Sequence, residues 1–347
     1  MFHLGVGYSP VERTGVRKFL AVLCFVLVAA RGSTPTSLDV LVVVGAPGEE
    51  SFRATFTEAA QDWVKAAEVA TKSARVLEGA AGETNQIATL TEALRAQTMG
   101  GQELWIVLIG HGTFDGKEAK FNLAGPDISA QQLGELLKEI ERPIVLINTA
   151  SASAPFINAL SGPNRVILTA TRSGYEENLT RFGSYIGKAI ADLTCDLDKD
   201  GQVSVLEAFL MASRRVEEFY KGEKRLATEH ALLDDNGDGK GTPATFYKGV
   251  RPAKKPDEAA NVDGFRAHQI HFIFSEEEAK LSPEVRKRRN ELELELEKVR
   301  GRKQQLKEDE YLKEIEPIIL ELSRLYRDAA ESVKTDGVRE GEAQKPE

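Results

Sequence analysis

The sequence predicts an α/β fold: a mostly parallel sheet flanked by helices, with a helix–loop–helix and a C-terminal helical extension. Three observations predict it. Short apolar, β-branched runs alternate with amphipathic stretches between residues 38 and 194, the pattern of strand–helix–strand units. Two of these runs are apolar throughout, as strands buried on both faces are. They are residues 104–109 (LWIVLI), leading into Gly110-His111-Gly112, and residues 143–147 (PIVLI), leading into Asn148-Thr149-Ala150-Ser151. From Asp196 onward the composition changes to acid-rich loops and then to a highly charged helical stretch.

Taken in order, residues 38–44 form the first strand and residues 49–70 a helix with an apolar stripe at Phe52, Phe56, Ala59, Trp63 and Ala66. A short strand at 74–77 and a helix at 84–97 precede the strand that ends at His111. Residues 120–123 form a hairpin arm, and Ser129 caps a helix over 129–141. The strand ending at Asn148, a short helix over 156–160, a strand over 166–170 and a helix over 178–193 complete a domain spanning 38–194. No G-x-G-x-x-G or Walker pattern occurs, so nucleotide chemistry has no support. The net charge of −9 argues against nucleic acid as a partner, because phosphate binding needs a basic face.

Residues 1–30 read as a secretory signal peptide. Arg13, Arg17 and Lys18 precede an apolar run over 19–30 that is short for a membrane span, with Val28 and Ala30 placed for cleavage. An uncleaved anchor is the alternative. Removal of the signal leaves Cys195 as the one cysteine, so no intrachain disulfide forms. The expected location is a bacterial-type periplasm, envelope or extracellular space, with no membrane span after signal removal.

Residues 196–207 match the twelve-residue calcium loop. Asp196, Asp198 and Asp200 supply carboxylate oxygens, Gly201 the sharp turn, and Gln202 a backbone carbonyl. Ser204 supplies an oxygen directly or through water, and Glu207 a bidentate carboxylate. Helices are expected over 182–193 before the loop and 204–221 after it. A second acidic loop holds Asp234, Asn236 and Asp238 at calcium-loop spacing, followed by Gly239. Its twelfth position is Thr245 and Pro243 interrupts the exit, so it is either a degenerate site paired with the first or an Asx-rich turn. Residues 195–250 thus form an EF-hand-type region with Ca2+ as the expected ligand.

Residues 251–280 read as a Pro- and Lys-rich linker followed by a strand over 269–274. On a strand His268 and His271 face opposite sides and share no metal. Residues 281–333 are helical, with Ser282 as cap and Pro283 in the first turn. Apolar residues recur at Leu292, Leu296 and Val299, then at Ile315, Ile319, Leu322, Tyr326 and Ala329, interrupted by Gly301 and Pro317. A helical hairpin, a coiled-coil helix docked on a partner helix, and a solvated helix lying on its own domain all satisfy this pattern. Residues 334–347 are expected to be disordered.

The two strand ends, in this order and separation, resemble the caspase-like fold shared by caspases, legumain-type peptidases and gingipains. The resemblance covers residues 38–193. It implies that His111 stands at the general-base position and the Gly112 N–H at an oxyanion-hole donor position. It places Ala150 where the family carries its nucleophilic cysteine, and a methyl group attacks nothing. Arg172, Ser173 and Glu176, after the next strand, correspond to a region that shapes the substrate pocket. Three readings follow. The first is a catalytically inactive pseudopeptidase that binds calcium and an unidentified protein or peptide. The second is a hydrolase whose nucleophile has moved to Ser151, with His111 as base. The third is a calcium-dependent scaffold working through the C-terminal helices.

Overall fold

The computed structural model describes residues 38–79, 82, 84–98, 102–257 and 261–343, with side chains described to residue 328. The expected signal peptide lies outside the described residues. No helix among the described residues is long and apolar enough to cross a membrane.

Chain order explains the sheet. Strands β1 (Val40–Val44), β2 (Ala74–Glu78) and β3 (Leu104–Ile109) are joined through helices α1 (Glu50–Val69) and α2 (Gln86–Arg95). Beyond β3 the chain folds into a small antiparallel sheet, β4 (Gly112–Phe114), β5 (Ala119–Phe121) and β6 (Ile128–Ser129). Helix α3 (Ala130–Lys138) follows, then β7 (Ile144–Asn148), α4 (Pro155–Leu160), β8 (Arg165–Thr169) and α5 (Phe182–Ala189). Ser129 caps α3 in a capping box with Gln132. After α6 (Val205–Gly222) come β9 (Leu232–Asp234) and β10 (Thr242–Pro243). The seven-stranded order is β10-β9-β8-β7-β3-β1-β2. The five strands from β2 to β8 run parallel, and β9 and β10 add antiparallel. This is the mostly parallel, helix-flanked sheet that the strand–helix alternation predicts.

Alternation along each strand feeds two cores. Val40, Val42, Trp105, Val107 and Ile109 face α1, α5 and α6, whereas Leu41, Val43, Leu104, Ile106 and Leu108 face α2, α3 and α4. The register aligns Val44 with Ile109, Leu108 with Asn148, and Asn148 with Thr169, so the carboxyl ends of β1, β3, β7 and β8 share one edge.

Four expectations need correction. The helix before the acidic loop ends at Ala189, and a single 3-10 turn over Leu193–Cys195 enters the loop. Asp192 stops the helix by accepting from Thr194 N–H (3.0 Å) and pairing with Arg215 (2.8 Å). Residues 251–280 are no simple linker, because Asp263, Ala267 and Phe272 are fully buried. The strand expected over 269–274 is replaced by helix α7 (Phe265–Gln269) and one bridge from His271 to Ser204. Past α8 (Glu276–Lys280), the C-terminal segment is a hairpin of α9 (Pro283–Gly301) and α10 (Glu308–Ala343), so the helix continues beyond the boundary expected at residue 333. Ser282 caps α9 as its sequence predicts. Arg302–Glu314 and Arg288–Glu321 bridges link the two helices of this hairpin across its surface.

Candidate functional site

At the shared strand edge, His111 follows β3 and packs edge-on against Phe52 (5.0 Å between ring centroids) and Phe56 (5.1 Å) of α1. The Pro47 carbonyl, after β1, faces this ring and favours its protonated form. Burial holds its pKa below the ordinary histidine value, against the opposing pull of that carbonyl and of Glu49. Sequence reasoning placed Phe52 and Phe56 on the buried stripe of α1 but gave no sign that they clasp His111.

Ser151 is buried, and its Oγ both accepts from Gly112 N–H (3.1 Å) and donates to Gly112 C=O (3.1 Å). The reason lies in the hairpin register. Asn122 N–H donates to His111 C=O, which makes that pair the hydrogen-bonded one and leaves Gly112, opposite Phe121, in the alternate position. The Gly112 peptide groups therefore point away from β5 and toward Ser151. A Cβ at Gly112 would collide with the Ser151 carbonyl. The N–H offered by the resemblance as an oxyanion donor is thus already engaged. Ser151 and His111 share no hydrogen bond, the Ser151 hydroxyl being turned to Gly112. Ala150 is buried in the core beneath the edge. Asp115 lies in an exposed turn, accepting from Lys117 N–H (2.9 Å) and Glu118 N–H (2.8 Å). Glu176 is occupied by Arg172 N–H (3.0 Å), His230 N–H (3.2 Å) and the His230 ring (2.6 Å).

The loop over 196–207 gathers Asp196, Asp198 and Glu207, whose ligand oxygens lie within 4.8 Å of one another. Asp196 and Glu207 are buried and Asp198 is exposed. Asp196 accepts from Lys199 N–H (2.6 Å) and Gly201 N–H (3.1 Å), which winds the loop around its own first carboxylate. Gly201 makes the turn at φ +86°. Asp200 accepts from Gln202 N–H (2.9 Å). Ser204 caps α6, its Oγ accepting from Glu207 N–H (3.2 Å), while Glu207 accepts in return from Ser204 N–H (2.8 Å) and Leu197 N–H (2.6 Å). Among the described residues no lysine or arginine pairs with these carboxylates. The Lys199 ammonium donates to the Asp196 carbonyl and not to a carboxylate. Three converging carboxylates, two of them buried, form an oxygen-only donor set of the kind that suits a hard divalent ion.

The histidines behave differently from the strand-based expectation. His268 Nε2 lies 2.8 Å from Asp198 Oδ2, and His271 Nε2 lies 3.9 Å from Asp200 Oδ2. Both turn to the loop because α7 is helical and His271 lies antiparallel against Ser204. This long-range pairing had no local signal.

The second loop is built otherwise. Asp234 ends β9, accepting from Gly237 N–H (3.1 Å) and Ser161 Oγ (3.0 Å), and Asn236 accepts from Asp238 N–H (2.9 Å). Strands flank it instead of helices, and the first loop pairs with His271, not with this one. Beneath it Asp263 accepts from Asp235 N–H (3.1 Å) and Thr242 Oγ1 (2.5 Å), while Asp235 accepts from Gly264 N–H (2.9 Å) and Ala267 N–H (2.8 Å). Burial, reinforced by Asp235, pushes the Asp263 carboxyl up to about 8.

No family model and no curated protein matches the chain. Among solved structures it is similar to protein GSU0716 from Geobacter sulfurreducens, at 11% identity over 56% of this chain and 92% of that one, with a TM-score of 0.39. It is also similar to the Drosophila initiator caspase Dronc, at 13% identity over 68% of this chain and 93% of that one, with a TM-score of 0.38. Likenesses this distant carry no functional argument, which rests on the geometry above.

Proposed function

We propose that this chain is an exported calcium-binding protein whose α/β domain is a caspase-like fold without peptidase activity, acting by binding a protein or peptide. The observation that carries the reading is the convergence of Asp196, Asp198 and Glu207 within 4.8 Å on a loop with calcium-loop spacing. Asp196, Asp198, Asp200, the Gln202 carbonyl, Ser204 and Glu207 would hold the ion. Its positive charge would relieve repulsion among carboxylates that no lysine or arginine bridges among the described residues, the Lys199 ammonium donating to the Asp196 carbonyl instead. The same reading takes the strand edge as a binding surface, since Ala150 offers no nucleophile and Ser151 serves the Gly112 backbone.

Titration calorimetry of the full chain with calcium tests it. A single binding event is expected, with Kd between about 10⁻³ and 10⁻⁶ M. Glu207→Gln, which replaces the bidentate carboxylate by an amide of the same shape, is expected to weaken it at least about tenfold. Absence of binding heat in the unaltered chain, with magnesium and calcium alike, overturns the reading.

A further inference from the structure

We propose that calcium on the 196–207 loop locks the C-terminal hairpin of α9 and α10 onto the domain, through a strap formed by residues 263–275. This rests on the calcium reading above and names what that site regulates.

The strap touches the loop at four places. His271 bridges Ser204, and Val205 N–H donates to Ile270 C=O (2.9 Å). His268 meets Asp198 (2.8 Å), and Ser275 N–H donates to Gln202 Oε1 (3.1 Å). Asp198 and Gln202 are at ligand positions of the loop, one through its side chain and one through its carbonyl. Each therefore has a second group that holds the strap. Partners behind a ligand orient it, and in return are held by it.

The strap then holds the hairpin. Gln269 Nε2 donates to Asn290 C=O (3.1 Å) and Glu293 (2.9 Å) of α9. Ser275 caps α8, whose buried Glu278 takes a two-pronged bridge from Arg289 of α9 (2.6 and 2.8 Å). Tyr326 of α10 reaches Glu293 in turn (3.3 Å).

Arg286 of α9 adds a bond to the Glu278 carbonyl (2.9 Å) and lies over the Phe274 ring at the end of the strap (4.5 Å), so these holds too run through 263–280. The hairpin's apolar cluster of Leu296, Val299 and Ile315 is separate from the two cores around the sheet. Clefts of about 870 and 660 Å³ lie between strap and hairpin, both lined by His268 and Glu293. An element docked by polar contacts across such clefts opens at low free energy. By contrast, Phe272 is wedged between Trp63 (5.5 Å) and Trp105 (4.8 Å), so the strap stays anchored in the core. Ordering of the loop therefore passes to the strap ends and on to α9.

Hydrogen exchange on the full chain, with and without calcium, tests the coupling beside calorimetry on the same samples. With calcium at 100 times its Kd, exchange over residues 283–300 is expected to slow between about 10- and 100-fold, the ceiling being set by linkage. Glu207→Gln loses this slowing together with the binding heat. Arg289→Met, remote from the loop, keeps the heat and the slowing over 196–207 but loses it over 283–300. Gln269→Ala gives the same pattern should Arg289→Met fail to fold. Full binding heat without slowing over 283–300, or slowing that survives in both uncoupled variants, overturns the coupling. Absence of heat in the unaltered chain instead overturns the calcium reading on which it rests.

Discussion

Replacing Ser151 by alanine separates a structural hydroxyl from a catalytic one. The Ser151 hydroxyl is the partner of both peptide groups of Gly112, each at 3.1 Å, in a site only 2% exposed at Ser151. The hairpin register turns those groups away from β5, so removing the hydroxyl leaves a buried donor and a buried acceptor unpaired. Each costs about 1–3 kcal/mol, and partial relaxation puts the sum at about 2–4 kcal/mol. Urea denaturation of the unaltered chain and of Ser151→Ala measures this as a fall in midpoint at unchanged slope. A peptide and ester substrate library, run on both proteins and on His111→Ala, is expected to show no turnover in any of them. A destabilisation below about 0.5 kcal/mol would mean that the Ser151–Gly112 pairing is wrong. Turnover by the unaltered protein that both substitutions abolish would return Ser151 to the role of nucleophile.

Two further outcomes follow from the titratable groups. Asp263 stays protonated up to about 8 in the folded chain, whereas an unfolded aspartate titrates near 3.9. The folded state therefore holds an extra proton across that window. Stability falls as pH rises through it by about 1.4 kcal/mol per pH unit, is fully present below the unfolded value, and is lost above about 8. Asp263→Asn, which keeps an acceptor for the Asp235 N–H, is expected to make the denaturation midpoint fall less steeply between about pH 5 and pH 8, the Asp235 carboxyl, whose pKa burial also raises, keeping the remainder, and parallel profiles would refute the assignment. Phe52→Ala opens one side of the His111 ring; its pKa, followed by NMR among five histidines, is expected to rise toward the ordinary value because burial is the largest cause of its depression.

The sheet was legible because its information is local. Runs such as residues 104–109 are apolar at every position, and only a strand covered on both faces has use for that. Ser129 and Ser282 were legible as caps for the same reason, since the residues they serve lie three positions away. The strap was illegible because its determinants are distant. Residues 269–274 look like a strand by composition, but the Asp235 carboxylate binds the N–H groups of Gly264 and Ala267 and starts a helical turn just before them. His268 and His271 then reach acids some seventy residues earlier, a proximity that no sequence window contains. His111 and Gly112 follow β3, and Ala150 and Ser151 follow β7, its neighbour in the sheet. The sequence could not reveal that Ser151 completes the Gly112 backbone, because that depends on which pairs of the hairpin are hydrogen-bonded.

The two candidate sites differ in what their polar atoms already have. At the strand edge the Ser151 hydroxyl has Gly112 and the Ser153 hydroxyl has Thr171 (3.1 Å). A catalytic group must keep one polar atom available to the substrate and one to its base. Ser151 and Ser153 both close local hydrogen bonds. At the acidic loop the balance is reversed. Backbone N–H groups hold one or more oxygens of Asp196, Asp198, Asp200 and Glu207 in place, yet among the described residues no lysine or arginine bridges these carboxylates, the Lys199 ammonium binding the Asp196 carbonyl instead. Carboxylates kept this close repel one another, and burial of two of them removes the water that would screen the repulsion. On the calcium reading proposed above, a bound divalent cation would offset that repulsion.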